Sequence, residues 1–177
     1  SQSTMERIEL TPYYAYKRSN HFNEWLSQFQ AKESTFIPIH IITSLKKEIK
    51  KERLEEITPY KIRKYLKKLG LNKYYEHIPH IMTKITGIPP PVIPREKEEL
   101  LRTMFKHIQI PFVLYCPSYR KNFLSYSYVL HKFTQLLEMD KLTKSFPLLK
   151  SRSKLYQQDL IWKKICHYLK WQYIKSV

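Results

Sequence analysis

The sequence predicts an all-α protein on three observations. Glycine is nearly absent, apolar residues recur at helical spacing, and start and stop signals stand where those stripes begin and end. Only Gly70 and Gly87 occur in 177 residues. Hairpin-rich β folds draw on turn residues that accept positive φ, so this scarcity argues against them. Apolar residues make up 42% and aromatics 14%, enough large side chain for a core and too much for global disorder. A chain of this length forms one domain or two small ones.

Residues 1–15 read as an N-terminal extension. Phe22, Leu26 and Phe29, with Trp25, then line one side of a helix beginning near Asn20. Ile41, Leu45 and Ile49 repeat at four-residue spacing, while Lys46, Lys47, Lys50 and Lys51 fall off that stripe. Thr58-Pro59 is a helix start, a capping hydroxyl followed by a proline at the first helical position. Ile62, Leu66 and Leu69 form its apolar face, and Gly70 is placed to end it. Asn72 caps a segment from Lys73 to Thr86 that Gly87 closes and Pro79 bends or divides. Ile88 to Pro94 carries four prolines in seven positions and favours an extended, polyproline-type strap.

After the strap, Leu100, Leu101, Met104, Phe105 and Ile108 mark a helix whose acidic first turn, Glu96 to Glu99, suits its dipole. Pro111 and Pro117 bracket a short apolar connection. The strongest helix is expected from about Tyr119 to Glu138, on the stripe Phe123, Tyr126, Leu130, Phe133 and Leu137, reinforced by Val129 and Leu136. A last helix, roughly Ser153 to Leu169, buries Leu155, Trp162, Ile165, Cys166 and Leu169. The organisation expected is a compact multi-helix domain, with a first helical half at 16–87, a connector at 88–94 and a second half at 95–177. No internal repeat links the halves.

Charge bounds the function. Thirty-two Lys and Arg against fifteen Asp and Glu give +17, with a pI near 9.8. Such a chain repels itself when compact, and a polyanion relieves the repulsion; nucleic acid is the common one, and release of its counterions drives binding. A solvated lysine-rich surface of the kind found in AT-rich genomes is the plainer reading. Cys116 and Cys166 alone cannot form a secreted disulfide framework. With no apolar leader and no run long enough to span a bilayer, a cytosolic or nuclear setting without membrane contact is expected. The opening Ser-Gln-Ser-Thr-Met reads as an artificial start, so the natural chain is expected to extend upstream.

Catalytic chemistry is not expected. His77 and His80 have a ligand-like spacing, but Pro79 lies between them and no nearby Cys or acid completes a set. Cys116 and Cys166 read as small buried residues. Glu24, Glu33, Asp140 and Asp159, the candidates for nuclease carboxylates, are scattered, and a phosphate-cradling glycine loop is ruled out by composition.

Basic and aromatic residues interleave instead. Lys17, Arg18 and Asn20 fall in Tyr16–Phe22, and Arg63, Lys64, Lys67 and Lys68 stand opposite the apolar face of the Pro59 helix. Arg120 and Lys121 fall in Tyr119–Phe123, and Lys150, Arg152 and Lys154 close the set. All but the second cluster lie at or just before an expected helix N-terminus, where backbone N–H groups and cations together make a phosphate site. For Arg18 and Arg120 a second reading stands equal, in which they bond helix ends and backbone carbonyls.

The same stretches carry a family resemblance. Tyr16-Lys17-Arg18-Ser19-Asn20-His21-Phe22, Gln28-Phe29-Gln30-Ala31-Lys32-Glu33 and Tyr74-Tyr75-Glu76-His77-Ile78-Pro79 resemble the poxvirus late transcription factor 3 family, found also in other large nucleocytoplasmic DNA viruses. So do residues 122–133, Phe146-Pro147-Leu148-Leu149-Lys150-Ser151-Arg152 and residues 158–166, so that the likeness runs from about Tyr16 to Val177. It implies a factor for viral late genes, acting with the viral RNA polymerase and other late factors on DNA, at late promoters. The place implied is the infected cell, in a cytoplasmic viral factory or the nucleus, or the virion. Family members carry an N-terminal zinc ribbon with paired cysteines; this chain has no such pairs, so no cofactor is expected in it and zinc belongs to an upstream region. A ribbon followed by two helical halves is also the layout of initiation factors with tandem cyclin-like repeats, which stands beside a single irregular helical domain as an architecture. Two rivals to direct DNA binding remain. One is a protein-interaction scaffold using Tyr13, Tyr14, Trp171 and Tyr173, and the other is a nucleic-acid-processing enzyme using Glu33 or Asp159.

Overall fold

The structure, a computed structural model, describes residues 2–32, 36–50, 52–53 and 56–176, with side chains from Met5 onward except those of 7, 8 and 10. Glu33 and Lys51, singled out above, lie outside the described residues. Those described form helices α1 (Gln2–Phe29), α2 (Ile39–Ile49), α3 (Pro59–Lys68), α4 (Ile78–Thr86), α5 (Arg95–His107), α6 (Gln109–Tyr115), α7 (Tyr126–Leu136), α8 (Asp140–Thr143) and α9 (Arg152–Leu169), with no strand among them. The all-α class is as predicted. The chain divides into two compact units, one of residues 23–93 and the other of residues 1–22 with 94–177.

In the 23–93 unit, α2, α3 and α4 pack on one another. The core is Ile41, Leu45, Ile49, Ile62 and Leu66, from the stripes the sequence displays, joined by Ile81 and its neighbours on α4. Both ends of α3 follow from local chemistry. Thr58 Oγ1 accepts from the Lys61 N–H at 3.2 Å, and Pro59 follows it. At the other end Leu71 N–H reaches the Leu66 carbonyl and Gly70 N–H the Lys67 carbonyl, a Schellman closure with Gly70 at φ +71°. The segment expected from Lys73 to Thr86 is divided: a 3-10 stretch, Asn72–His77, hands over to α4 just before Pro79. Proline there costs little, because first-turn N–H groups have no intrahelical partner.

In the other unit, α5 packs on α6 and α7, α6 on α9, and α7 on α8. Aromatic rings fill it: Phe22 stacks on Phe105 at 4.1 Å, Phe112 meets Phe123 edge-on at 4.6 Å, and Trp162, Phe133 and Trp171 pack against one another.

Several expectations need correction. The first helix begins at Gln2 rather than near Asn20 and runs through Pro12. Its N-terminal half lacks a strong apolar stripe, the signal that the sequence reading relied on. Residues 109–115, expected as a connection, form α6, since Pro111 occupies the first turn where its missing N–H is harmless. The strongest helix begins at Tyr126, not Tyr119, because Ser125 caps it, its Oγ accepting from Tyr128 N–H at 3.4 Å. Leu100 is exposed and Glu98, not expected inside, is buried with Arg102 Nη2 at 2.8 Å from its Oε1. Leu137 and Leu169 are half-buried.

Candidate nucleic-acid interface

In the unit of residues 1–22 and 94–177, basic clusters far apart in sequence come together. A hollow of about 340 Å³ is lined by Tyr14, Arg18, Phe112, Cys116, Arg120 and Lys121. A second, of about 270 Å³, is lined by Arg120, Lys121, Asn122, Lys154, Gln157 and Gln158. Arg120 and Lys121 belong to both, so the hollows adjoin as one cationic groove from α1, past the 116–125 loop, to the first turns of α9.

The arginines and lysines of this groove have different duties. Arg18 sits among rings, its guanidinium 4.9 Å from the centre of Phe123 and 5.4 Å from that of Phe112, with Nη1 donating to Gln109 Oε1 at 3.2 Å. Burial pushes its pKa below the usual arginine value. Arg120 donates through Nε to the Asn122 carbonyl at 2.9 Å and through Nη2 to the Phe123 carbonyl at 3.1 Å. For Arg120 the carbonyl-bonding alternative is therefore what the structure shows. The two arginines brace the loop and lend it charge.

Lys121, Lys150, Arg152 and Lys154 are exposed. None of the four makes an ion pair with a described carboxylate. The last three surround the start of α9, where Ser151 Oγ accepts from Lys154 N–H at 3.4 Å. The positive end of an 18-residue helix dipole adds to their field. Lys17 and Asn20 are exposed on α1 but line neither hollow, and Lys17 Nζ rests 4.6 Å above the Tyr13 ring.

The remaining cluster belongs to the other unit. Arg63, Lys64, Lys67 and Lys68 are all exposed on α3. Arg63 lies over the Tyr75 ring at 4.1 Å, and Lys68 is paired with Glu48 at 2.8 Å, which raises the lysine pKa through that hydrogen bond. Lys64 and Lys67 keep the cationic face.

Sequence reasoning missed Gln157, Gln158 and Asn122 as lining residues, because an uncharged amide carries no pattern. It also missed a buried network. Asp159 Oδ1 accepts from Tyr128 OH and from Ser176 Oγ, each at 2.6 Å, and its Oδ2 accepts from Ser176 N–H at 3.1 Å. Lys132, buried on α7, donates a hydrogen bond from Nζ to the Ile174 carbonyl at 2.6 Å and stands 3.9 Å from Asp159. Burial opposes charge on Asp159, but the Ser176 and Tyr128 hydrogen bonds and the nearby ammonium outweigh it and hold the carboxyl below its usual pKa. Asp159 is thus a structural carboxylate clamping the 171–176 tail. Burial pushes the Cys166 thiol up to about 12, so it is inert as a nucleophile.

Among the described residues no three of His, Cys, Asp and Glu gather as metal ligands. No described helix is long and apolar enough to cross a membrane. Of the aromatics considered for a scaffold, Tyr13 and Tyr14 are exposed, whereas Trp171 packs on Phe133 and Trp162.

A family model described as Poxvirus Late Transcription Factor VLTF3 like matches residues 11–173. A candidate transcription factor of Acanthamoeba polyphaga mimivirus is 52% identical over 93% of this chain and 38% of its own length. Another, of Paramecium bursaria Chlorella virus 1, is 49% identical over 92% of this chain and 46% of its own. A second mimivirus candidate transcription factor is 32% identical over 77% of this chain and 54% of its own. The chain thus spans roughly two fifths to one half of the length of these relatives. No solved structure matches it. The match over nearly the whole chain means that this protein belongs to the poxvirus late transcription factor VLTF3-like family.

Proposed function

We propose that the chain is the body of a viral late-gene transcription factor that holds DNA by its phosphates along the groove of the 1–22/94–177 unit, working with the viral RNA polymerase and other late factors in the infected cell. The family and the names of its relatives support a role in transcription. The observation that carries the DNA half is the pair of adjoining hollows sharing Arg120 and Lys121, which gathers cations from α1, the 116–125 loop and α9 on one path. Arg18 and Arg120 fix that path, Lys121 and Lys154 meet the phosphates along it, and Lys150 and Arg152, at the start of α9, meet those beside it. Lysine ammonium groups on a flexible stem neutralise charge without reading bases, so affinity is salt-dependent and largely indifferent to sequence. The role is binding rather than catalysis, and it needs no cofactor in this part of the protein.

Fluorescence anisotropy with late-promoter and scrambled duplexes across a salt series tests this. Both duplexes are expected to bind at low salt with similar affinity, and neutralising about four phosphates gives a slope of log K against log salt near −3.6. Absence of binding to either duplex at low salt removes the DNA half of the proposal.

A further inference from the structure

A different hollow on the same unit has a more aliphatic bed. About 470 Å³ in volume, it lies between α9 and the 171–176 tail, lined by Arg152, Tyr156, Leu160, Lys163, Tyr173 and Lys175 over a floor that includes Leu155. Tyr156 and Leu160 are large apolar side chains left 65% and 46% exposed on a helix whose other face is fully buried. The groove described above mixes rings with Arg, Lys, Asn and Gln and has cations along its length; this one has a bed of Leu and Tyr with cations at its rim.

The bed is preformed. Ile174 and Ser176, on either side of Lys175, are each pinned by the buried network, the first by Lys132 and the second by Asp159. Lys163 Nζ lies 5.8 Å above the Tyr173 ring, bridging the two walls. Asp159 also borders the hollow, but its carboxylate is held by Tyr128 and Ser176 and faces the buried Lys132 at 3.9 Å rather than pairing with a rim cation. No described carboxylate forms an ion pair with Arg152, Lys163 or Lys175.

We infer that this hollow docks an acidic peptide segment of a partner protein, its Leu or Phe side chains seated on Leu160, Tyr156 and Tyr173 and its carboxylates on the three rim cations. Charge complementarity selects an anionic partner, and the exposed Leu160 and Tyr156 select apolar side chains over a sugar–phosphate strand, which would leave Leu160 uncovered. The inference does not rest on the DNA reading: Arg152 is used in both, but none of the hollow's aliphatic or tail residues belongs to that groove.

The probe is a short fluorescein-labelled peptide alternating Asp and Glu with Leu and Phe, titrated with the full chain. Because a +17 chain attracts any polyanion, the comparison is between charge-matched variants. Lys163→Glu with Lys175→Glu is expected to weaken binding about tenfold more than Lys84→Glu with Lys106→Glu, exposed lysines elsewhere. Leu160→Asp, at an exposed position that leaves the circular dichroism spectrum unchanged, is expected to weaken it to a similar extent. A peptide keeping its acids but with Ser for Leu and Phe should bind about tenfold more weakly. Equal losses from both lysine pairs, or equal binding of the serine peptide, would overturn the proposal by reducing it to general attraction. Oligothymidylate losing affinity on Leu160→Asp as the peptide does would assign the hollow to nucleic acid instead.

Discussion

At the scale of single residues, Arg120 and Asp159 show how hydrogen bonds to the chain's own groups make a brace of a charged side chain. Arg120 spends Nε and Nη2 on the carbonyls of Asn122 and Phe123, so Arg120→Ala is expected to cost about 1–2 kcal/mol in denaturant unfolding, with a smaller effect on DNA affinity than Lys121→Ala. Asp159→Asn leaves Lys132 buried without its counter-charge and weakens the grip on Ser176. A loss of about 3 kcal/mol is expected. The pH dependence has a definite sign. The folded carboxyl has a depressed pKa, so as acid is added the unfolded chain takes up its proton first. The stabilisation is complete above the ordinary carboxylate value of about 4 and is lost as pH falls below it toward the folded value. Thermal melts over that range should show a shallower acid decline for Asp159→Asn than for the parent; identical declines would mean that Asp159 is not the clamp. None of this was legible in the sequence. The partners of Asp159 lie 17 and 31 positions away, a separation that no local pattern encodes.

The helices were easier to read where local chemistry alone sets their limits. Thr58-Pro59, Gly70 and Gly87 mark real ends, because a side-chain oxygen over a free N–H and a residue at positive φ need no tertiary partner. Thr58→Ala is therefore expected to destabilise by about 1 kcal/mol. Gly87→Ala should cost a similar amount: a Cβ there meets open space, but the backbone sits at φ +71°. Both follow from chemical denaturation midpoints at unchanged slope. The misreadings have equally physical causes. The apolar run Phe123 to Leu136 looks continuous, yet Phe123 serves the aromatic cluster from a loop while Ser125 starts the helix, so periodicity overstated α7 by several residues. Pro111 looked like a breaker but fell in a first turn, where proline fits.

Across the whole molecule, the sequence displayed that positive charge is in excess and named the clusters, but not which of them meet. Clusters near residues 18, 120 and 154 share one groove because α1, the loop and α9 belong to one compact unit. Lys64 and Lys67 belong to the other. The lysine groove and the apolar hollow beside the tail give one unit two distinct faces, one suited to phosphates and one to an acidic peptide. The central claim is that the groove, rather than net charge, holds DNA. Its most direct test is the salt dependence of duplex binding by the double variant Lys121→Ala, Lys154→Ala against Lys84→Ala, Lys106→Ala, which removes the same charge elsewhere. The groove variant should lose about two units of slope and bind much more weakly at moderate salt, while the control stays near the parent. Equal slopes for the two variants would contradict the groove and leave the attraction spread over the entire surface.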